Sequence, residues 1–201
     1  MGKTNYGVGA AMRRITYLFI LLLVLAAFSK PSEKLPLSKE LQAGELPWFA
    51  FDVKDSNGTY EKTVNRDNLK ELVRQKKYRK VVFSFFATWC IPCREGLKRM
   101  SESANELKKN GVLVVLVNVA ERDLDNYSRR KIDEWVRKNG YFKEEWLLVF
   151  DKFSSSLEDF GLQKSGNEEA PLPRTLITDE NLRPLMLIGK EEDDYVQILW
   201  K

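Results

Sequence analysis

The sequence predicts an α/β fold: a mixed central sheet with helices on both faces, opened by an N-terminal β-hairpin. Three observations carry this. Two nearly unbroken apolar runs, "VVFSFF" at 81–86 and "VLVVLVNV" at 112–119, have the composition of strands covered on both faces. Segments with apolar residues at helical spacing, 91–109 and 126–138, follow these runs, which is the alternation of parallel strands with crossover helices. Strand-like segments joined by turn signals lie before and after this core, so antiparallel hairpins complete the sheet.

Taken in order, residues 1–29 read as a signal peptide or an N-terminal membrane anchor. Met12-Arg13-Arg14 precedes the apolar run "ITYLFILLLVLAAF" at 15–28. That run is shorter than the roughly 20 residues of a membrane-spanning helix and has the length of an export-signal core. Residues 30–45, polar with two prolines, read as a linker, and the folded domain is expected over 46–201. "WFAFDV" at 48–53 and "TYEKTV" at 59–64 flank the turn "DSNG" and form the opening hairpin. Leu69, Leu72 and Val73 mark one face of a helix over 67–75. The strand at 81–86 leads into a helix over 91–109, carried by Leu97, Met100, Ala104 and Leu107 and stopped by Asn110-Gly111. After the strand at 112–119, Ile132, Trp135 and Val136 define the helix at 126–138, and "WLLVFD" at 146–151 is a further strand. "SSSLEDFGL" gives a short helix ending at Gly161. "RTLITD" at 174–179, a turn at Asp179-Glu180-Asn181 and "RPLMLIG" at 183–189 close the sheet as a hairpin, with a last helix expected over 191–200.

Composition removes several functions. The chain has 33 Lys+Arg against 29 Asp+Glu, but three of the cations and none of the acids lie in residues 1–29. The globular part is therefore nearly neutral and lacks the basic stripe of a nucleic-acid binder. The absence of histidine excludes Cys-His and Ser-His pairs, and two cysteines supply only half of a common zinc site. Two cysteines are also too few to staple a domain of this size, so they read as functional.

Both cysteines lie in Trp89-Cys90-Ile91-Pro92-Cys93, where the central strand ends and a helix begins. Unpaired N–H groups and the partial positive charge of a helix N-terminus stabilise a thiolate at Cys90 and lower its pKa, making it the nucleophile. Three residues is close to one helical turn, so Cys93 sits beneath Cys90, within reach of closing a disulfide or dissolving a mixed one. Pro92 costs the first turn little, because its missing N–H would have no partner there. The bland readings are an inert structural disulfide and half of a shared metal site. A second signal is Leu172-Pro173, a proline that opens a strand.

Taken together, "FFATWCIPCRE", the hairpin before it and "PLPRTLITD" after it resemble the extracytoplasmic thioredoxin-like proteins of the TlpA/ResA type, over roughly residues 44–190. The resemblance implies a thioredoxin-like fold, a nucleophilic Cys90, a resolving Cys93, and Pro173 as a cis-proline beside the disulfide. It further implies that the backbone at Leu172 pairs with a bound substrate strand and that Trp89 shields the dithiol. Two departures stand out. Ser84 replaces the buried acid that thioredoxin carries six residues before its first cysteine. Gly96 takes the place of a glutamate common in the TlpA/ResA type, with Glu95 one position early. Glu95 becomes the candidate proton acceptor for Cys93 if the helix turns it inward.

The leading function is an extracytoplasmic thiol-disulfide oxidoreductase that reduces protein disulfides. Ile91-Pro92 lacks the histidine of strongly oxidising relatives, which favours the reducing direction. The resemblance implies oxidised protein thiols, apocytochrome c among them, as clients, and an upstream membrane thiol reductant. No bound cofactor or metal is expected, because the dithiol itself carries two electrons; the membrane is met only through the N-terminal segment. A thiol peroxidase is the runner-up, but its P-x-x-x-T-x-x-C pattern meets Phe83 and Ala87 here. A copper-delivery role finds only Met100 and Met186 as soft ligands besides the pair. A non-catalytic module on the same fold is the remaining alternative.

Overall fold

The computed structural model describes residues 46–119, 121, 125–151, 156–162 and 172–189, together with 34–35, 37, 41 and 44. Residues 1–29, expected to be a signal peptide or anchor, and the helix expected over 191–200 lie outside the described residues.

Among the described residues eight strands form one mixed sheet: β1 (Lys34–Leu35), β2 (Ala50–Val53), β3 (Lys62–Asn65), β4 (Lys80–Phe86), β5 (Val112–Asn118), β6 (Leu147–Phe150), β7 (Arg174–Asp179) and β8 (Pro184–Ile188). Their order across the sheet is β1-β8-β7-β4-β5-β6-β2-β3. The parallel centre, β4 with β5 and β5 with β6, is the pair of apolar runs and the strand after them. The antiparallel β7 runs against β4, and β2 against β6, so both hairpins join the sheet from opposite sides. The helices are α1 (Arg66–Lys76), α2 (Ile91–Glu102), α3 (Ala104–Lys109), α4 (Asn126–Lys138) and α5 (Ser156–Asp159).

The two-residue period of β4 and β5 builds two cores. Val82, Phe86, Val114 and Leu116 face one side, where they join Leu97 and Met100 of α2 and Ile132 and Val136 of α4. Val81, Phe83, Leu113 and Val115 face the other, with Leu69 and Val73 of α1 and Phe160. On that second side Phe160 gathers Phe49, Phe51, Phe83 and Phe85 around it, with ring centroids 5.5–6.3 Å away. Both faces being covered explains why the central strands read as continuous apolar runs.

Local chemistry sets the element ends. Asn65 caps α1 by accepting from the Asn68 amide while the Asn68 side chain accepts from Asn65 N–H, a reciprocal box. Asp125 caps α4 through the Ser128 amide at 2.7 Å. The single helix expected over 91–109 is two: α2 stops at Ser103, whose backbone (φ −89°, ψ 5°) leaves helical geometry before α3 begins. Serines compete locally for backbone groups, as the Ser101 hydroxyl does in donating to Lys98 O at 2.8 Å, and they weaken a helix where they cluster. Within residues 30–45, read as a linker, Lys34–Leu35 pairs with β8 and Leu41 is buried in the second core. Among the described residues no helix is long and apolar enough to cross a membrane.

Candidate active site

The redox turn follows β4, the strand flanked by β5 on one side and β7 on the other, so it rises from the middle of the sheet. Cys90 is the N-cap of α2, with Ile91 and Pro92 as its first helical residues. The two cysteines form a disulfide with their Cα atoms 5.3 Å apart. The Cys93 amide donates to Cys90 Sγ at 3.2 Å, so one of the helix's unpaired N–H groups is spent on the sulfur. Both cysteines are almost wholly covered, at 4% and 2% exposure, whereas their neighbours Trp89 (58%) and Ile91 (67%) stand in solvent. Pro92 is exposed as well. The sulfurs are thus set into an apolar, solvent-facing rim.

The turn is braced from three directions. Cys90 N–H donates to Ala87 O at 3.2 Å. The Arg94 guanidinium reaches back to Thr88 O through Nε and Nη2, at 3.1 and 2.7 Å. Thr88 N–H donates to a carboxylate oxygen of Glu121 at 2.5 Å, and Asn118 Nδ2 approaches the same oxygen at 3.5 Å. Asn118 ends β5, is fully buried, and its Oδ1 has no partner among the described residues.

On the opposite side of β4, the Leu172-Pro173 peptide is cis. Arg174 pairs with Phe85, so the antiparallel register brings Pro173 to the level of Phe86, at the root of the redox turn. Pro173 is buried, and Leu172 packs against the same core cluster that holds both cysteines.

Glu95 does not take the position that would make it a proton acceptor. Two residues beyond Cys93 on α2 is roughly 200° of rotation, so with Cys93 and Gly96 buried the Glu95 side chain is turned out to solvent. Ser84 does face the dithiol side: it alternates with Val82 and Phe86 on β4, is buried, and pairs in register with Thr175 of β7. Glu121 and Asn118 were not read from the sequence as site residues. Their signal is present there as a polar asparagine closing an otherwise apolar buried strand, with an acid three residues on. Among the described residues no group of three or more histidine, cysteine or acidic side chains is arranged to hold a metal ion.

The central strand, redox turn at a helix N-terminus and cis-proline loop define a thioredoxin-like protein. The chain belongs to the AhpC/TSA family, whose model matches residues 49–183. Among curated proteins it is similar to the thiol-disulfide oxidoreductase ResA of Geobacillus thermodenitrificans, 28% identical over 101 residues that make up 50% of this chain and 49% of that one. It is also similar to ResA of Bacillus anthracis, 22% identical over 92% of this chain and 93% of the relative. The match thus spans about half the length of the first relative and nearly all of the second. Solved structures that share the fold include the following two. One is a thiol:disulfide interchange protein DsbE from Chlorobium tepidum (TM-score 0.53, 21% identity, 82% of this chain and 94% of that one). The other is StoA from Bacillus subtilis (TM-score 0.51, 15% identity, 76% and 96%).

Proposed function

We propose that this chain is an extracytoplasmic thiol-disulfide oxidoreductase that reduces disulfides in client proteins. The observation that carries the reading is the Cys93 amide on Cys90 Sγ at the N-terminus of α2. In the reduced protein that amide and the helix dipole favour a thiolate at Cys90.

In this reading the Cys90 thiolate attacks one sulfur of a client disulfide. An S–S bond forms to Cys90, the client's S–S bond breaks, and one client sulfur leaves as thiolate. Cys93, deprotonated, then attacks Cys90 Sγ, closing the intramolecular disulfide and releasing the second client thiolate. Two electrons pass to the client, and its two thiolates take up two protons. Trp89 and Ile91 form the apolar rim on which the client lies, and the Leu172 backbone before the cis-proline pairs with the client's extended chain. The apolar run at 15–28 supports a location outside the cytoplasm, as signal peptide or anchor. The likeness to ResA supports oxidised protein thiols, apocytochrome c included, as clients, with an upstream membrane thiol reductant restoring the dithiol. No bound cofactor enters the scheme.

A thiol peroxidase is the alternative reading, yet the two positions that would carry its Pro and Thr are Phe83 and Ala87, both fully buried and apolar. The test is a trapping experiment with Cys93→Ser. A disulfide reductase accumulates a mixed disulfide through Cys90 with oxidised protein substrates, and a non-catalytic module accumulates none. The reduction potential gives the direction. A value near the roughly −270 mV of thioredoxin supports a reductase, and one near the roughly −120 mV of DsbA makes the chain a disulfide donor.

A further inference from the structure

A groove of about 410 Å³ opens beside the redox turn, lined by Thr88, Trp89, Arg94, Lys131, Ile132 and Trp135. It runs between the first turn of α2 and the middle of α4, the helix that links β5 to β6. Pro173 precedes β7, which flanks β4 on the other side, so the groove is not the cis-proline surface.

Its chemistry is one-sided. Arg94 and Lys131 are both exposed, and no acid is among the described residues that line the groove. Neither cation makes an ion pair among the described residues, whereas neighbouring cations on α4 do: Arg129 with Asp52 at 2.8 Å and Arg137 with Asp133 at 2.6 Å. The site is also stiff. Two bonds to Thr88 O fix the Arg94 guanidinium, whose carbon lies 5.7 Å from the centre of the Trp135 ring. Trp135 in turn is stacked on Phe86 at 6.5 Å and meets Tyr141 edge-on at 5.4 Å. The Lys131 ammonium lies 4.4 Å from the Tyr127 ring centre. Holding cations in place before a ligand arrives lowers the ordering cost of binding it.

We propose that this groove is a client-selecting subsite that takes the carboxylate of an aspartate or glutamate close in sequence to the client's reactive cysteine. The inference rests on the oxidoreductase reading above. Arg94 lies four residues beyond Cys90, about 6 Å along the helix axis. An extended client chain covers that distance in about two residues. A client joined through Cys90 therefore lays one arm towards Leu172 and the other across Trp89 into the groove. There a carboxylate meets Arg94 and Lys131, and its apolar stem meets the indole of Trp135.

The test uses the reduced full chain and two disulfide-linked peptides that differ only in having Asp or Asn two residues from the reactive cysteine. Stopped-flow tryptophan fluorescence gives the second-order rate constant for each. At low ionic strength the Asp peptide is expected to react about fivefold faster than the Asn peptide, the size of an exposed charge pair. The ratio is expected to fall towards one in high salt and to drop to one or below in Lys131→Glu. Lys70→Glu, an equal charge change on α1 across the sheet, is expected to leave the ratio where it was. Equal rates for the two peptides, both being reduced, overturn the subsite and leave the oxidoreductase reading standing. A ratio that survives Lys131→Glu also overturns it, by putting the charge recognition elsewhere. A Lys131 dependence found with oxidised glutathione but with neither peptide overturns it by assigning the cations to a small anionic disulfide. Reduction of neither peptide, with no Cys93→Ser trap formed, removes the oxidoreductase reading itself.

Discussion

The Cys93 amide donates to Cys90 Sγ at 3.2 Å, and Cys90 is the residue that opens α2. The bond is asymmetric: the Cys90 sulfur receives a helix-terminal N–H, while both residues are nearly covered, at 4% and 2% exposure. In the reduced chain the two thiols are therefore expected to differ in reactivity. Timed alkylation at neutral pH, read by mass spectrometry, should modify Cys90 first and by at least about tenfold, in line with the stabilisation of a charge-assisted bond. Cys90→Ser should leave a slowly modified thiol. Equal rates at the two positions would show that the amide does not select the nucleophile.

Glu121 holds the other end of the same turn through Thr88 N–H. A hydrogen bond to a charged acceptor contributes about 1.5–3 kcal/mol, so Glu121→Ala is expected to lower unfolding stability by about 1–2 kcal/mol after solvent replaces part of it. Glu121→Gln keeps an acceptor oxygen and should lose less than half as much. Urea unfolding of the three proteins measures both. If the brace positions the redox turn, Glu121→Ala should also slow client reduction several-fold, and Glu121→Gln should restore most of that rate.

The parts of this molecule that were legible in the sequence are those written in repeating or local patterns. β4 and β5 are continuous apolar runs because both of their faces are covered, and the dithiol turn is named by Cys90, Pro92 and Cys93 within four residues. The cis peptide at Pro173 was reached through the family resemblance rather than through the residues themselves. What stayed hidden depends on geometry over longer spans. The Glu121–Thr88 bond joins residues 33 apart, so the polar Asn118 that closes β5 and the acid after it mark a site without naming Thr88 as the partner. Glu95, a candidate only if α2 turned it inward, is exposed, as its two-residue offset from the buried Cys93 requires. The break at Ser103 is invisible to apolar spacing, since Met100, Ala104 and Leu107 are buried on both sides of it. Lys34–Leu35 is a strand only because β8 offers it an edge.

Asp52 of β2 and Arg129 of α4 form an ion pair at 2.8 Å with both side chains 9% exposed, and Arg129 also donates to Tyr60 O at 3.2 Å. The pair ties the opening hairpin to the helix that walls the proposed groove. Removing one partner leaves a buried charge uncompensated, so Asp52→Asn is expected to cost about 3 kcal/mol. Replacing both residues with apolar ones of similar volume should cost much less. Chemical denaturation of the single and double variants separates the two outcomes; a single variant as stable as the parent would mean that water reaches Arg129.

Asp133 accepts from Lys54 at 2.9 Å, from Arg137 at 2.6 Å and from the Tyr60 hydroxyl at 3.1 Å. Burial pushes its carboxyl up, but the hydrogen bonds from Lys54 and Arg137 and their charges outweigh it and hold the pKa below the ordinary 3.8. Tyr60 is shifted upward, chiefly by burial and then by the Asp133 charge, so its phenol stays a donor to that carboxylate. A folded pKa below the unfolded one means that Asp133 contributes stability that is fully present above about pH 4 and is lost as pH falls through the folded value. Asp133→Asn abolishes that contribution at every pH. The stability gap between the parent and Asp133→Asn is therefore expected to be widest at about pH 6–7 and to narrow steadily below about pH 4. Urea unfolding of both proteins from about pH 7 down to about pH 2.5 measures it. A gap that stays constant over that range would mean that the carboxylate contributes through shape and hydrogen bonding alone, with no proton linkage.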